Sequence, residues 1–365
     1  MLPKPHIVNL PVYQPGKPIE DVKRELGLDE VIKLASNENP YGCSPRVRAA
    51  IESELSNISL YPDGSAVELT GLLAKQFGVN TDQIIFGCGS DELIALTARA
   101  FFLPEDETVM ADQTFSVYKS NADIEGAISI EVPLKDGVHD LDAMLAKIGE
   151  RTKIVWICNP NNPTGTIVSD QKLTAFLDSV PAHVLVVLDE AYAEYVTDSE
   201  YSDGISLLSK YPNLLVLRTF SKIYGLASLR IGYGIGQPKV IKLINQVREP
   251  FNTSRIGQAA AKASVADVEF VAECRDKNRS GIHYLNDQFD RLGLDYFPAH
   301  GNFIMVDVKT KATEMFHSLL EKGIIVRAGF SVYPTHIRVT VGSAEQNARF
   351  ITALEQVLSV KQAHV

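Results

Sequence analysis

A series of short apolar runs, each followed by glycine or a polar cluster, limits what this chain can fold into. The runs lie at residues 84–86, 109–110, 128–132, 154–158, 184–188, 214–217 and 231–235. Several are continuously apolar, as strands covered on both faces must be. Between most of them lie helical patterns; Leu69, Leu72, Leu73 and Phe77, for example, share one face and end at Gly78. Strands alternating with helices predict an α/β domain with a mostly parallel, seven-stranded sheet covered by helices, over about residues 30–250.

The pattern changes near Pro250. Helical segments at about 255–275 and 278–292 are followed by short strands at 303–306, 324–326 and 337–341 and a helix at 312–322. A last helix carries Phe350, Leu354 and Leu358 on one stripe. This reads as a smaller α+β domain over residues 251–365. Residues 1–29 form an arm rich in proline (Pro3, Pro5, Pro11, Pro15, Pro18) that ends in a short helix and joins the small domain. At the local level, Ser65-Ala66-Val67-Glu68 reads as a capping box opening a helix.

Composition removes several classes of function. With 45% hydrophobic residues and 22% charged, a large core is available. The formal net charge of -10 leaves no basic surplus for nucleic acid. No apolar run approaches the roughly 20 residues that span a bilayer, and the start of the sequence has no signal-peptide pattern. The four cysteines contain no CxxC pair and the eight histidines no HExxH, so a cytoplasmic protein with reduced thiols and no catalytic metal is expected.

Ligands of an open parallel sheet bind beyond the carboxyl ends of its strands. Four expected strand ends carry unusual chemistry. After residue 86 comes Gly87-Cys88-Gly89-Ser90-Asp91, leading into a helix whose N-terminus suits a phosphate. A dinucleotide fingerprint would need glycine at the position of Glu92, so that pattern fails. After residue 158 comes Asn159-Pro160-Asn161-Asn162-Pro163-Thr164-Gly165, where Asn162 can present an amide. After residue 188 comes Asp189-Glu190-Ala191-Tyr192. A buried aspartate is costly unless paired; it is either a helix cap or the partner of a cationic ring nitrogen, with Tyr192 near the same ligand. The fourth end is Thr219-Phe220-Ser221-Lys222, with Arg230 downstream. Thr219, Ser221 and Arg230 can grip a phosphate. A lysine among cations, partly desolvated, loses its proton more easily and becomes a Schiff-base nucleophile. Together these features describe a pyridoxal phosphate site.

The chain resembles the fold-type I pyridoxal-phosphate aminotransferases, and within them members that act on histidinol phosphate. The segments that carry the resemblance are Ala35-Ser36-Asn37-Glu38-Asn39-Pro40, Tyr61-Pro62-Asp63-Gly64, Asn162-Pro163-Thr164-Gly165, Asp189-Glu190-Ala191-Tyr192, Thr219-Phe220-Ser221-Lys222 and residues 337–342. The resemblance implies that Lys222 holds the cofactor and moves the proton, that Asp189 keeps the ring nitrogen protonated, and that Asn162 and Tyr192 bond the ring oxygen. Phe115 would stack on the ring, where many members have tyrosine. Gly89, Ser90, Asp91, Thr219, Ser221 and Arg230 would surround the phosphate. Tyr61 would reach it from the other subunit of a homodimer, and Tyr13, Asn162, Arg327 and Arg338 would line the substrate pocket.

Two other readings remain open at this level. The same fold serves a threonine-phosphate decarboxylase or an aromatic aminotransferase, and the strand-end motifs bind cofactor, not substrate. A cofactor-sensing regulator would carry a DNA-binding domain ahead of the fold; the arm before residue 30 is too short for one and the net charge has the wrong sign.

Overall fold

The computed structural model describes residues 3–8, 10 and 17–362. Its strands are β1 (Ile32–Lys33), β2 (Ile84–Gly87), β3 (Glu107–Ala111), β4 (Ile128–Val132), β5 (Thr152–Cys158), β6 (Leu185–Asp189), β7 (Leu214–Thr219), β8 (Gly232–Gly236), β9 (Phe303–Asp307), β10 (Ile324–Ile325) and β11 (His336–Thr340). Seven of them form one sheet in the order β2-β8-β7-β6-β5-β3-β4. β8 runs antiparallel to β2 and β7, and the other pairings are parallel. The protein is α/β, as the apolar runs predict.

The continuous hydrophobicity of the central strands has a direct cause in packing. On β5, Val155 and Ile157 enter one core with Leu173 and Phe176 of the Asp170–Ser179 helix. Ile154, Trp156 and Cys158 enter the opposite core with Leu93 and Ile94 of the Ser90–Phe101 helix. Side chains of this size each contribute about 1.5–3 kcal/mol when fully buried. Because the strands are parallel, Gly87, Ala111, Cys158, Asp189 and Thr219 all end at one edge of the sheet. The polar clusters beyond these ends therefore converge.

A second core faces that edge. It contains Phe289, Ile304, Val339, Phe350 and Leu354, around the antiparallel pair β9–β11 and the parallel pair β1–β10. Leu34 ties the two pairs together, donating its N–H to Ile325 O at 2.7 Å and accepting from Thr340 N at 2.9 Å. This seats Ala35, Ser36 and Asn37 at the mouth between the two cores.

Two local expectations are corrected. The break between the long helices after residue 250 falls at 266–267, not near 276: the helices are Arg255–Val265 and Val268–Arg291. The cause is Asp267, whose carboxylate accepts from Phe270 N at 3.3 Å and caps the second helix. The helix Val67–Phe77 is not opened by a Ser65–Glu68 box. Asp63 supplies the cap, accepting from Ser65 N at 2.9 Å and Val67 N at 2.8 Å, while Glu68 pairs with Lys262. The expectation for Tyr13 lies outside the described residues.

One glycine fixes how the turn after β7 meets the loop after β1. Gly225 has φ +70°, and a Cβ there would sit 1.9 Å from Gly42 O. Gly27 also has a positive φ, +65°, but a Cβ there meets open space. Gly225→Ala is predicted to cost roughly 3 kcal/mol or more, from strain and a backbone clash. Gly27→Ala should cost only the left-handed penalty of about 1–2 kcal/mol. Urea denaturation midpoints test the difference; equal shifts would contradict it.

Candidate active site

The converging strand ends enclose a cleft of about 810 Å³ between the sheet and the second core. Hydroxyls, a guanidinium and a helix N-terminus gather on its lining as a cradle for an anion. The hydroxyl of Thr219 donates to Ser221 Oγ at 3.0 Å and accepts from Ser221 N at 3.0 Å. Arg230 Nη1 donates to Ser221 Oγ at 3.4 Å, and Nη2 to Asp91 Oδ2 at 3.1 Å. Ser90 and Asp91 open the Ser90–Phe101 helix, whose free N–H groups and dipole favour an anion. A Cβ on Gly89 would lie 2.6 Å from Arg230 Nη2, so the glycine leaves that guanidinium room. Arg230 itself has φ +49°, a strain of the kind kept at functional sites. Glu92, which breaks the dinucleotide pattern, accepts from Cys88 N at 2.5 Å and Asn252 Nδ2 at 2.6 Å and braces the loop.

Lys222 follows β7 and points into the cleft, where Nζ donates to Ser36 O at 3.3 Å and lies 5.5 Å from the Tyr192 ring centroid. Burial pushes its ammonium down to about 8, and the nearby Arg338 guanidinium pushes the same way. At pH 7 roughly one such amine in ten is neutral, against fewer than about one in a thousand at the ordinary lysine value.

Asp189 ends β6 and is 2% exposed. It caps no helix. Its Oδ2 accepts from Tyr118 OH at 2.6 Å and its Oδ1 from Ala191 N at 3.1 Å. Burial pushes it up to about 6, against the pull of those two donors. Tyr192 is buried, and desolvation holds its phenol well above the usual tyrosine value, so it remains a donor. Its oxygen accepts from Asn37 Nδ2 at 2.9 Å. Asn162 Oδ1 accepts from Arg338 Nη1, which leaves its amide N–H groups for the cleft.

Arg338 is 8% exposed on β11 and also donates through Nη2 to Ala35 O. Arg327 exchanges both backbone hydrogen bonds with Arg338, at 3.0 and 2.8 Å. Its side chain lines the cleft and pairs with no carboxylate among the described residues. Phe115 lines the same cleft, two residues before the Val117–Glu125 helix, and packs edge-on against Tyr118. Tyr61 does not line the cleft of its own chain. It is 78% exposed and stacks on Phe251 with ring centroids 4.7 Å apart.

Sequence reasoning assigned no role to Asn37, Tyr118 or the Thr313, Phe316 and His317 group on the cleft wall. Asn37 is 1% exposed with φ +57°, and it receives a hydrogen bond from Thr340 Oγ1 at 3.0 Å while donating to Tyr192. It thereby joins the second core to the sheet. The available signal was the Ser36-Asn37-Glu38-Asn39-Pro40 run itself. Tyr118 sits inside a helix pattern and looks like any core aromatic.

The family model "Aminotransferase class I and II" matches residues 29–354. A Brevibacillus brevis protein named histidinol-phosphate aminotransferase is 56% identical over 360 residues, covering 98% of this chain and 99% of that one. A Bacillus subtilis protein of the same name is 52% identical over 357 residues, covering 97% and 99%. Among solved structures, histidinol-phosphate aminotransferase from Sinorhizobium meliloti in complex with pyridoxal-5'-phosphate superposes with a TM-score of 0.91 at 29% identity, covering 98% of this chain and 97% of that one.

The electrostatics of Lys222 are testable without any ligand. Amine-directed acylation of the cofactor-free protein, followed against pH at the Lys222 peptide, should titrate near 8. Arg338→Gln should move that midpoint up, by as much as about one unit, because a like charge is removed. An unchanged or lower midpoint would mean that Arg338 does not bear on the amine.

Proposed function

The chain belongs to the class I and II aminotransferases, and from that premise we propose that it moves an amino group between histidinol phosphate and 2-oxoglutarate. The products are imidazole acetol phosphate and glutamate, a step of histidine biosynthesis, and the cofactor is pyridoxal phosphate. The single observation that carries the reading is the half-buried Lys222 amine, partly desolvated and held down to about 8, sharing one cleft with the anion cradle and the buried Asp189. Relatives at 52–56% identity over nearly the whole chain support the substrate.

The residues present fit the cofactor. Its phosphate has Ser90, Thr219, Ser221, Arg230 and a helix N-terminus to hold it. Its ring oxygen has Asn162 and Tyr192, and its ring nitrogen has Asp189. When bound, pyridoxal phosphate supplies an aldehyde carbon for an amine and a ring that accepts the electron pair left at the donor's Cα. Lys222 Nζ would act as the base, its lowered proton affinity suiting it to hold and move the proton taken from the donor's Cα. Asp189 would keep a proton on the ring nitrogen through a charge-assisted bond. Phe115, on the cleft wall, would pack against the ring and help exclude water.

Arg338 and Arg327 are the anion readers for glutamate and for the phosphate monoester. A guanidinium fork donates two parallel bonds to either group. Tyr13 belongs to the substrate pocket in this reading. The active unit is a cytoplasmic homodimer with shared sites. The exposure of Tyr61, beside the exposed Ile58 and Leu60, supports a partner subunit at that surface. Among the described residues no helix is long and apolar enough to cross a membrane.

The test is a panel of half-reactions on the purified holoenzyme. Histidinol phosphate and glutamate should both react, with phenylalanine slower. A protein that released carbon dioxide from a phosphorylated amino acid, or reacted only with aromatic donors, would overturn the reading. Within that panel, Arg338→Ala should impair both natural donors, by about 2–5 kcal/mol in rate constant over dissociation constant. Arg327→Ala should weaken histidinol phosphate more than glutamate or phenylalanine. Equal losses for all donors would remove Arg327 as a phosphate reader.

The shared site is tested by mixing two inactive proteins, Lys222→Ala and a Tyr61 variant first shown to be impaired. A mixed dimer contains one site free of both changes, so partial activity should return. No recovery after proven subunit exchange would count against it.

A further inference from the structure

The carboxylate of Asp189 sits at the end of a pinned aromatic stack. Tyr118 is the second residue of the Val117–Glu125 helix and is 0% exposed. Its ring lies on the Trp156 ring with centroids 5.0 Å apart and planes 9° from parallel. Trp156 is fixed at its far end, where Nε1 donates to Thr108 Oγ1 at 2.9 Å and that hydroxyl donates to Ile154 O at 2.9 Å. Phe115 closes the other side of Tyr118 edge-on. The hydroxyl of Tyr118 therefore has little freedom, and it ends 2.6 Å from Asp189 Oδ2.

We propose that Tyr118 is a positioning residue, whose hydroxyl sets the orientation and the proton affinity of Asp189 and so determines how firmly a proton stays on the nitrogen of a bound pyridine ring. The inference rests on the reading of Asp189 as the partner of that nitrogen. A carboxylate has two oxygens with about four lone pairs. Tyr118 takes a position on one oxygen and Ala191 N on the other, which leaves about two lone pairs, room for a further donor.

The groups around Asp189 make the hydroxyl decisive. Asp91 and Glu190 face it as like charges, and burial adds to their effect; all three favour the protonated acid. The Cys158 thiol on β5 and the Tyr192 phenol beyond β6 also face it, and burial keeps both protonated. Against these stand the Tyr118 hydroxyl and the Ala191 N–H. Tyr118 keeps its own proton, because burial and the neighbouring Asp189 push it well above the usual tyrosine value. Without the hydroxyl, Asp189 binds a proton more tightly. The proton shared with a ring nitrogen then shifts toward the carboxylate, and the ring becomes a poorer electron acceptor.

Tyr118→Phe isolates the effect, since the ring and its stack are retained. The first readout is the cofactor-free protein carrying carboxyl-¹³C aspartate, with the Asp189 signal assigned by its loss in Asp189→Asn. Wild-type Asp189 should titrate near 6, and Tyr118→Phe should raise that midpoint by about one unit. Trp156 is the only tryptophan in the chain, so its emission provides a check on the stack. Trp156→Phe, which keeps the hydroxyl, should leave the midpoint near its original value. The second readout is the half-reaction of the holoenzyme, which should slow roughly tenfold in Tyr118→Phe, the equivalent of one pKa unit, with little change in donor affinity. An unmoved Asp189 midpoint in a folded Tyr118→Phe protein overturns the proposal. Near-normal half-reaction rates in Asp189→Asn would instead overturn the underlying assignment of Asp189.

Discussion

An ammonium ion cannot attack a carbonyl, and the rest of this structure depends on keeping one lysine dry enough to lose its proton. Lys222 is carried on a turn that leaves the fully buried strand β7 and packs against the loop after β1, where Gly225 meets Gly42. Desolvation acts first, and the Arg338 guanidinium adds to it. The second core contributes to both, because β11 brings Arg338 and the segment after β1 brings Ser36, whose carbonyl accepts from Lys222 Nζ. The cleft is thus lined from both sides, by the strand ends of the sheet and by the second core.

The neighbouring strand end, after β6, solves a complementary problem. A buried carboxylate is costly, and the protein holds Asp189 as a partly satisfied anion with one donor on each oxygen. Between Lys222 and Asp189 the fold sets up two titrating groups whose environments move them toward each other, one down to about 8 and one up to about 6. Such pairs are what proton-transfer chemistry near neutral pH requires. The cradle of hydroxyls, a helix N-terminus and Arg230 lies in the same cleft and would hold the cofactor's phosphate.

Much of this was legible in the sequence, for physical reasons. Strands buried on both faces must be continuously apolar, so residues 154–158, 184–188 and 214–217 announced themselves. A parallel sheet must also gather the polar segments at its strand ends. The strand-end residues Asn162, Asp189, Tyr192, Thr219, Ser221 and Lys222 could therefore be expected in one place, and the cleft contains them all. The features that stayed hidden depend on tertiary contact. Asn37 acts through Tyr192 and Thr340, 155 and 303 positions away. Tyr118 obeys ordinary helix spacing, and only its contact with Asp189 separates it from a core aromatic. Asp63 took the cap expected of Ser65 because its carboxylate reaches two N–H groups at once. Asp267 likewise ended a helix that sequence periodicity carried onward.

The central claim is that Lys222 is the residue that would hold the cofactor, by virtue of its place in the cleft and its lowered proton affinity. Borohydride reduction of the holoenzyme fixes the cofactor to whichever lysine carries it, and peptide mapping identifies that lysine. The account predicts a single labelled peptide containing Lys222, and none in Lys222→Ala. Label on any other lysine, or undiminished labelling of Lys222→Ala, would contradict it.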